Sequence, residues 1–166
     1  TSNRATIGGM INTDASGQGS VQYGKTRDHV LELRSVLLTG ERLESRPWAD
    51  AEWQEFPKES VAYRVASTLD MLDRTHRGEV QASFPTLNRC LTGYDLAHLR
   101  TAEGRLDVNS VLCGSEGTLA IVTEAIVHLE PLPTEVALVA VQYESFMDAL
   151  LDAQTLMTHG ATSIET

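Results

Sequence analysis

TIGGMINTDASGQGSVQY, residues Thr6 to Tyr23, is a run of glycines and small polar residues of the kind a chain uses where its backbone must pass close to something else. Far along the chain a second run of the same character, GSEGTLAIVTE from Gly114 to Glu124, leads into a β-branched segment. Glycines at 8 and 9 permit positive φ and leave amide hydrogens unshielded. Consecutive N–H groups there can converge on a phosphate or on the carbonyl oxygens of a planar ring, with the Thr6 hydroxyl as a further donor. Gly117 allows a tight turn that passes equally close, with the backbone of Ile121 and Val122 beyond it. A Gly-Gly pair alone is more often a plain turn, as with any short motif. Neither segment alone decides the reading.

Working outward, 166 residues suffice for one good core. A net charge of −10, with Lys and Arg scattered rather than striped, argues against a nucleic-acid partner. It also means that an anionic ligand has to be held by local amides rather than by overall attraction. The longest apolar runs, such as Val136 to Val141, are too short to cross a bilayer, so no transmembrane segment is expected. Two cysteines, Cys90 and Cys113, are too few for a disulfide framework and suit a reducing cytoplasm. The opening TSNRATIGG runs straight into an interior motif and ATSIET stops as abruptly, which reads as a piece of a longer protein.

Between the two glycine segments, the alternation of Val30 to Leu38 predicts a strand closed by a turn at Gly40. Residues 41–56, charged and aromatic, read as an excursion, with Trp48 and Trp53 capping an insertion or meeting a neighbouring domain. Val61, Val65, Leu69 and Leu72 share one face and predict a helix over Lys58 to Thr75, after Pro57. Irregular chain is expected from Gly78 to Arg89, so that the insertion covers about 41–89. Asp107 is a candidate N-cap for a short turn through Leu112, ended by Gly114. Thr118 to Leu129 reads as buried strand. After Pro131 and Pro133 a strand (Val136 to Tyr143) and a helix (Phe146 to His159, N-cap Ser145) are expected to begin another domain.

The glycine segments, together with Thr92-Gly-Tyr-Asp-Leu96, resemble the FAD-linked oxidase family, which includes vanillyl-alcohol oxidases, glycolate oxidase subunits and D-2-hydroxyacid dehydrogenases. Its usual text, GGN, an apolar residue, ATNAGG and later YGxTxDxV, is matched at Gly8, Gly9, Thr13, Ala15, Gly17, Tyr23, Gly24, Thr26, Asp28 and Val30. It is departed from at Met10, Asp14 and Ser16. The family's GSEGTLGIITE is matched nearly throughout, with Ala120 for Gly. The resemblance implies an α+β fold, the second subdomain of a PCMH-type FAD-binding domain, mostly antiparallel sheet flanked by helices. Residues 1–132 would belong to that domain and 133–166 to the start of a substrate or cap domain. It implies FAD as cofactor, with Thr6, Ile7, Gly8, Gly9, Thr13, Gly17, Gly117, Ile121 and Val122 as its neighbours. The Met10 to Gly17 variant resembles long bacterial members with an iron–sulfur cluster elsewhere in the parent chain.

The implied reaction is hydride transfer from the α-carbon of a D-2-hydroxy acid, such as lactate, glycolate or 2-hydroxyglutarate, to flavin. The family's first pyrophosphate loop and its histidine-rich metal motif are absent from this sequence, so the piece alone is expected to be silent. No catalytic residue and no metal ligand is assigned within it. The remaining FAD subdomain and the cap domain of the parent chain are its expected partners. Two alternatives stay open: another reaction of the superfamily, on a sugar alcohol or an enolpyruvyl nucleotide, and a flavin-free interaction module. Asp14, a negative charge beside an anionic cofactor, and the aromatic insertion are the hints of the latter. Singly, Glu116 and Glu124 read as solvated carboxylates, Tyr94 and Asp95 as structural, and Cys113 as a buried inert thiol. The five histidines show no ligand spacing.

Overall fold

A computed structural model describes residues 4–86 and 93–165 of the chain. Three short helices, α1 (Ile7–Asn12), α2 (Ser20–Tyr23) and α3 (Thr26–His29), precede strand β1 (Val30–Leu37). Strands β2 (Arg42–Ser45) and β3 (Pro47–Trp48) follow, then helices α4 (Asp50–Trp53) and α5 (Val61–Ser83). Strand β4 (Leu106–Asp107), helix α6 (Asn109–Leu112), strand β5 (Ala120–Val127) and helix α7 (Phe146–Thr158) complete the order. The fold is thus α+β, an antiparallel sheet flanked by helices. None of these helices is long and apolar enough to cross a membrane.

The chain divides into two units, Thr1–Ala15 with Lys25–His128, and Ser16–Gly24 with Leu129–Thr166. In the first, β1 lies between β2 and β5, antiparallel to both, and β3 pairs with β4. Leu33, Leu43 and Ala120 point from the sheet into a core shared with Ile11, Trp48, Trp53, Ala66, Leu106 and Leu112. Register shifts in the β1–β5 pairing, between Val30 and Glu32 and between Arg34 and Ser35, break the alternation of both strands. The Ser45 hydroxyl donates to Asn109 Oδ1 at 2.7 Å, and Asn109 Nδ2 donates to the Leu31 carbonyl at 3.3 Å, so α6 is fastened beneath β1 and β2 by fully buried polar groups.

Several expectations need correction. Residues 41–56 are framework rather than excursion: Leu33 to Val36 pair with Ser45 to Arg42, and both tryptophans are buried. Trp48 meets Phe56 edge-on at 5.3 Å, so the aromatic residues serve this core. The helix expected to end at Thr75 runs on to Ser83, through Gly78. Ion pairs Asp70–Arg74 and Asp73–Arg77, four residues apart, brace its second half, and Gly78 does not take positive φ. Its start is three residues later than expected, where the Ser60 hydroxyl caps the Tyr63 amide.

The second unit holds α2 and α7, the latter capped by Ser145 as expected. Gln18 is hydrogen-bonded to Glu165 within it, and Tyr143 to Asp152. No strand forms over Val136 to Tyr143. A strand needs a neighbour to satisfy its backbone, and this segment has none among the described residues: Val136 and Leu138 are 84% and 97% exposed.

Candidate functional site

The glycine segments do not use their freedom in the expected way. Gly8 and Gly9 lie inside α1, whose N-cap is Thr6: its Oγ1 accepts from the Gly9 amide at 3.1 Å. Neither glycine has positive φ. Smallness is what matters here. A Cβ on Gly9 would stand 2.9 Å from Thr6 Oγ1, whereas one on Gly8 would meet nothing within 4 Å, so the Gly8 backbone is open to an incoming group. Ile7 beside it is exposed, and the Thr13 hydroxyl donates back to the Gly9 carbonyl at 3.0 Å, tightening the end of α1.

At that end the two segments meet. The Gly114 amide donates to the Ile11 carbonyl at 2.9 Å and the Glu116 amide to the Asn12 carbonyl at 2.8 Å. Gly114 has φ 78° and its Cβ position lies 3.3 Å from Asp14 Cβ, so only glycine fits both the conformation and the space. Glu116 and Gly117 continue the turn in the left-handed region at φ 51° and 76°, and nothing lies within 4 Å of a Cβ on Gly117. The turn is tied down by Thr118, whose hydroxyl donates to the Ser115 carbonyl at 2.6 Å and is also hydrogen-bonded to the Tyr94 hydroxyl. Beyond it β5 carries Ile121 outward, 67% exposed, and Val122 half-buried opposite Ser35.

The fold therefore brings Thr6, Ile7, Gly8, Gly9, Thr13 and the Gly114–Gly117 turn to one joint, with Ile121 and Val122 on the strand that leaves it. Gly17 belongs to the second unit, where its amide donates to Ser20 Oγ at 2.8 Å. Open backbone at Gly8 and Gly117 suits a ligand with phosphate and ring acceptors. One atom more is unspent: Asn12 Oδ1 is buried with no hydrogen-bond partner in the protein. The residues present fit FAD.

Sequence reasoning missed the charges behind this joint. Asp14, at φ 44°, turns its carboxylate inward: Oδ2 lies 2.7 Å from Lys25 Nζ, and Oδ1 accepts from the Arg27 amide at 2.8 Å. Lys25 is itself buried. Asp95, only 2% exposed, accepts from the Ala97 and His98 amides and bonds Arg27 Nη1 at 2.7 Å and His98 Nδ1 at 2.8 Å. Asp28 closes the start of α3 by accepting from the Lys25 amide. Burial presses its pKa up, but that amide and Arg27 outweigh it and hold the carboxyl below the ordinary value. Burial pushes Asp107 the other way, upward, against its hydrogen bond from the Asn109 amide. The signal in the sequence was the departure at Asp14 from the usual Asn; nothing marked Lys25.

Both hints of a flavin-free module thus have another explanation, since Asp14 is neutralised inward and the tryptophans are core. Cys113 is buried, and burial first, with Asp14 and Asp107 adding to it, pushes its thiol up to about 12, so it stays protonated and inert. Thr92 and Cys90 lie outside the described residues. The histidines are less scattered than the sequence suggests: His29 and His128 stack at 6.2 Å where β1 and β5 part, and the His128 amide donates to the His29 carbonyl.

Residues 1–46 match the family model of an FAD binding domain. The whole chain aligns with the D-2-hydroxyglutarate dehydrogenase of Pseudomonas putida at 57% identity and with that of Escherichia coli at 47%, covering 17% and 16% of those proteins. A D-lactate dehydrogenase of Anaerostipes hadrus is 26% identical over 93% of the chain and 22% of its own length. The chain thus spans about a sixth of the curated D-2-hydroxyglutarate dehydrogenases it matches.

Proposed function

We propose that this chain is part of a larger FAD-dependent protein of the FAD-linked oxidase family, and that the protein carrying it oxidises a D-2-hydroxy acid, D-2-hydroxyglutarate first among them, to the 2-oxo acid. The observation that carries this reading is the identity of 57% along the entire chain with a D-2-hydroxyglutarate dehydrogenase, across both glycine segments. FAD, when bound, supplies the acceptor for the hydride that leaves the α-carbon of the acid.

The share of this chain in that reaction is binding and orientation. Gly8 and Gly117 keep backbone open where a side chain would intrude, and Thr6 and Thr13 stiffen α1 from both ends. The pair of backbone hydrogen bonds from Gly114 and Glu116 to α1 keeps the two open stretches in fixed relation. Ile121 and Val122 offer apolar surface at the edge of the site. The residues that hold the acid and take its hydroxyl proton belong to the rest of the protein, so this chain alone is inactive. We assign residues 1–132 to the FAD-binding domain and 133–166 to the start of the substrate domain, and we place the protein in the cytoplasm.

The test is anaerobic visible absorption of the purified full-length protein. The flavin bands should bleach on addition of D-2-hydroxyglutarate, and more slowly or not at all with D-lactate and glycolate. A yellow protein that none of these acids reduces would overturn the reaction, leaving the family assignment in place.

A further inference from the structure

Three segments converge on Asp14. Its own turn closes α1, with the Asp14 amide donating to the Ile11 carbonyl at 3.1 Å and the Ala15 amide to the Met10 carbonyl at 2.9 Å. The start of α3 reaches it through the Arg27 amide and Lys25 Nζ, and the Gly114 turn packs on its Cβ. Its neighbour Ala15 receives both the amide and the hydroxyl of Thr26, at 3.0 and 2.8 Å. Both carboxylate oxygens are thus committed, one to shape and one to charge. The charge is needed because the Lys25 side chain is only 7% exposed and the next carboxylate, that of Asp95, stands 4.0 Å away, already engaged with Arg27 and His98. A buried ammonium without a close counterion is strongly disfavoured.

We propose that Asp14 is a positioning residue for FAD, acting through its ion pair with Lys25 to hold the Gly8 and Gly117 backbones in the relation the cofactor requires. The proposal rests on the FAD-binding reading of this site. Asparagine at 14 would keep an acceptor for the Arg27 amide and tolerate the left-handed backbone, but it would leave the ammonium uncompensated. Shape would survive and the pair would not. Replacing Lys25 as well removes the buried charge and so should restore what the first change lost, and a variant that loosens another ion cluster separates this from a general loss of stability.

The experiment measures FAD dissociation constants and the visible circular dichroism of the bound flavin in the full-length protein, for the wild type, Asp14→Asn, Asp14→Asn with Lys25→Met, and Arg100→Met. The last loosens a separate ion cluster, that of Asp50, Asp70 and Asp73. Asp14→Asn should weaken FAD binding roughly tenfold or more and alter the flavin dichroism, the double variant should return to within about threefold of wild type, and Arg100→Met should bind as wild type does. Unchanged affinity and dichroism in Asp14→Asn would overturn the proposal. So would a double variant no better than Asp14→Asn, or an equal loss in Arg100→Met. A wild type that takes up no FAD would be a different failure, that of the FAD-binding reading itself.

Discussion

Two ion clusters in the first unit look alike on paper and differ in what they join. Behind the glycine segments, Lys25 and Arg27 face Asp14, Asp28 and Asp95. On α5, Arg100 is paired with Asp50, Asp70 and Asp73, while Arg74 reaches Asp50 and Asp70 and Arg77 reaches Asp73. The second cluster is redundant: each of its acids has two cations within reach, and it fastens α4 and α5 to the chain before β4. The first gives Lys25 one close partner, Asp14, on which the Gly114 turn packs. Each acid of the second cluster keeps another cation when one is lost, although Arg100 is the member that joins all three acids, whereas Lys25 has a single close counterion.

Breaking the redundant cluster should give the largest effect on stability and none on the cofactor. Arg100→Met should cost about 2–3 kcal/mol in denaturant unfolding, less than a fully broken buried pair because Arg74 and Arg77 remain near Asp70 and Asp73. Loss of bound FAD from the folded variant would contradict the division between the clusters. Gly114→Ala attacks the other side. It forces an L-residue to φ 78° and a methyl group to 3.3 Å from Asp14 Cβ, so about 1–2 kcal/mol should be lost and FAD should leave readily on gel filtration. Retention of FAD by this variant would show that the turn yields without moving the site.

The smallest effect is an acid titration that sharpens the comparison. Arg100, with help from Trp53, holds Asp50 below the ordinary carboxylate value of 3.8, and Asp28 is likewise lowered. Groups lowered in the folded state stabilise it above their unfolded pKa and lose that contribution as pH falls through the folded value. Asp107, raised by burial, has the opposite sign and loses its unfavourable contribution as it is protonated. The midpoint of unfolding should therefore fall below about pH 4, and Arg100→Met should flatten the dependence by removing the share of Asp50. An unchanged slope would place the acid sensitivity in the Lys25 cluster.

How far the sequence could be read follows from these regions. Spacing alone revealed α5, because Val61, Val65 and Leu69 meet the core on one face, but its end was expected at Thr75, ahead of Gly78. Glycine stops a helix only where the backbone turns left-handed, and here the ion pairs of Asp70 and Asp73 carry it through. Alternation did not reveal β2, because Arg42 to Ser45 holds one apolar side chain and becomes a strand through its pairing with β1. The strand expected over Val136 to Tyr143 failed for the converse reason: apolar residues without a neighbour do not make a ladder.

What the sequence by itself determined is the resemblance to FAD-linked oxidases and the two glycine-rich segments that carry it, since glycine is read directly from the residue type. Only the tertiary structure decided how the segments work. It put Gly8 and Gly9 into a helix rather than a positive-φ loop, joined that helix to the Gly114 turn, and neutralised Asp14 with a lysine eleven positions away. The physical reason is that hydrogen-bond and ion pairing depend on distance in space and on burial, and neither is a property of any one residue.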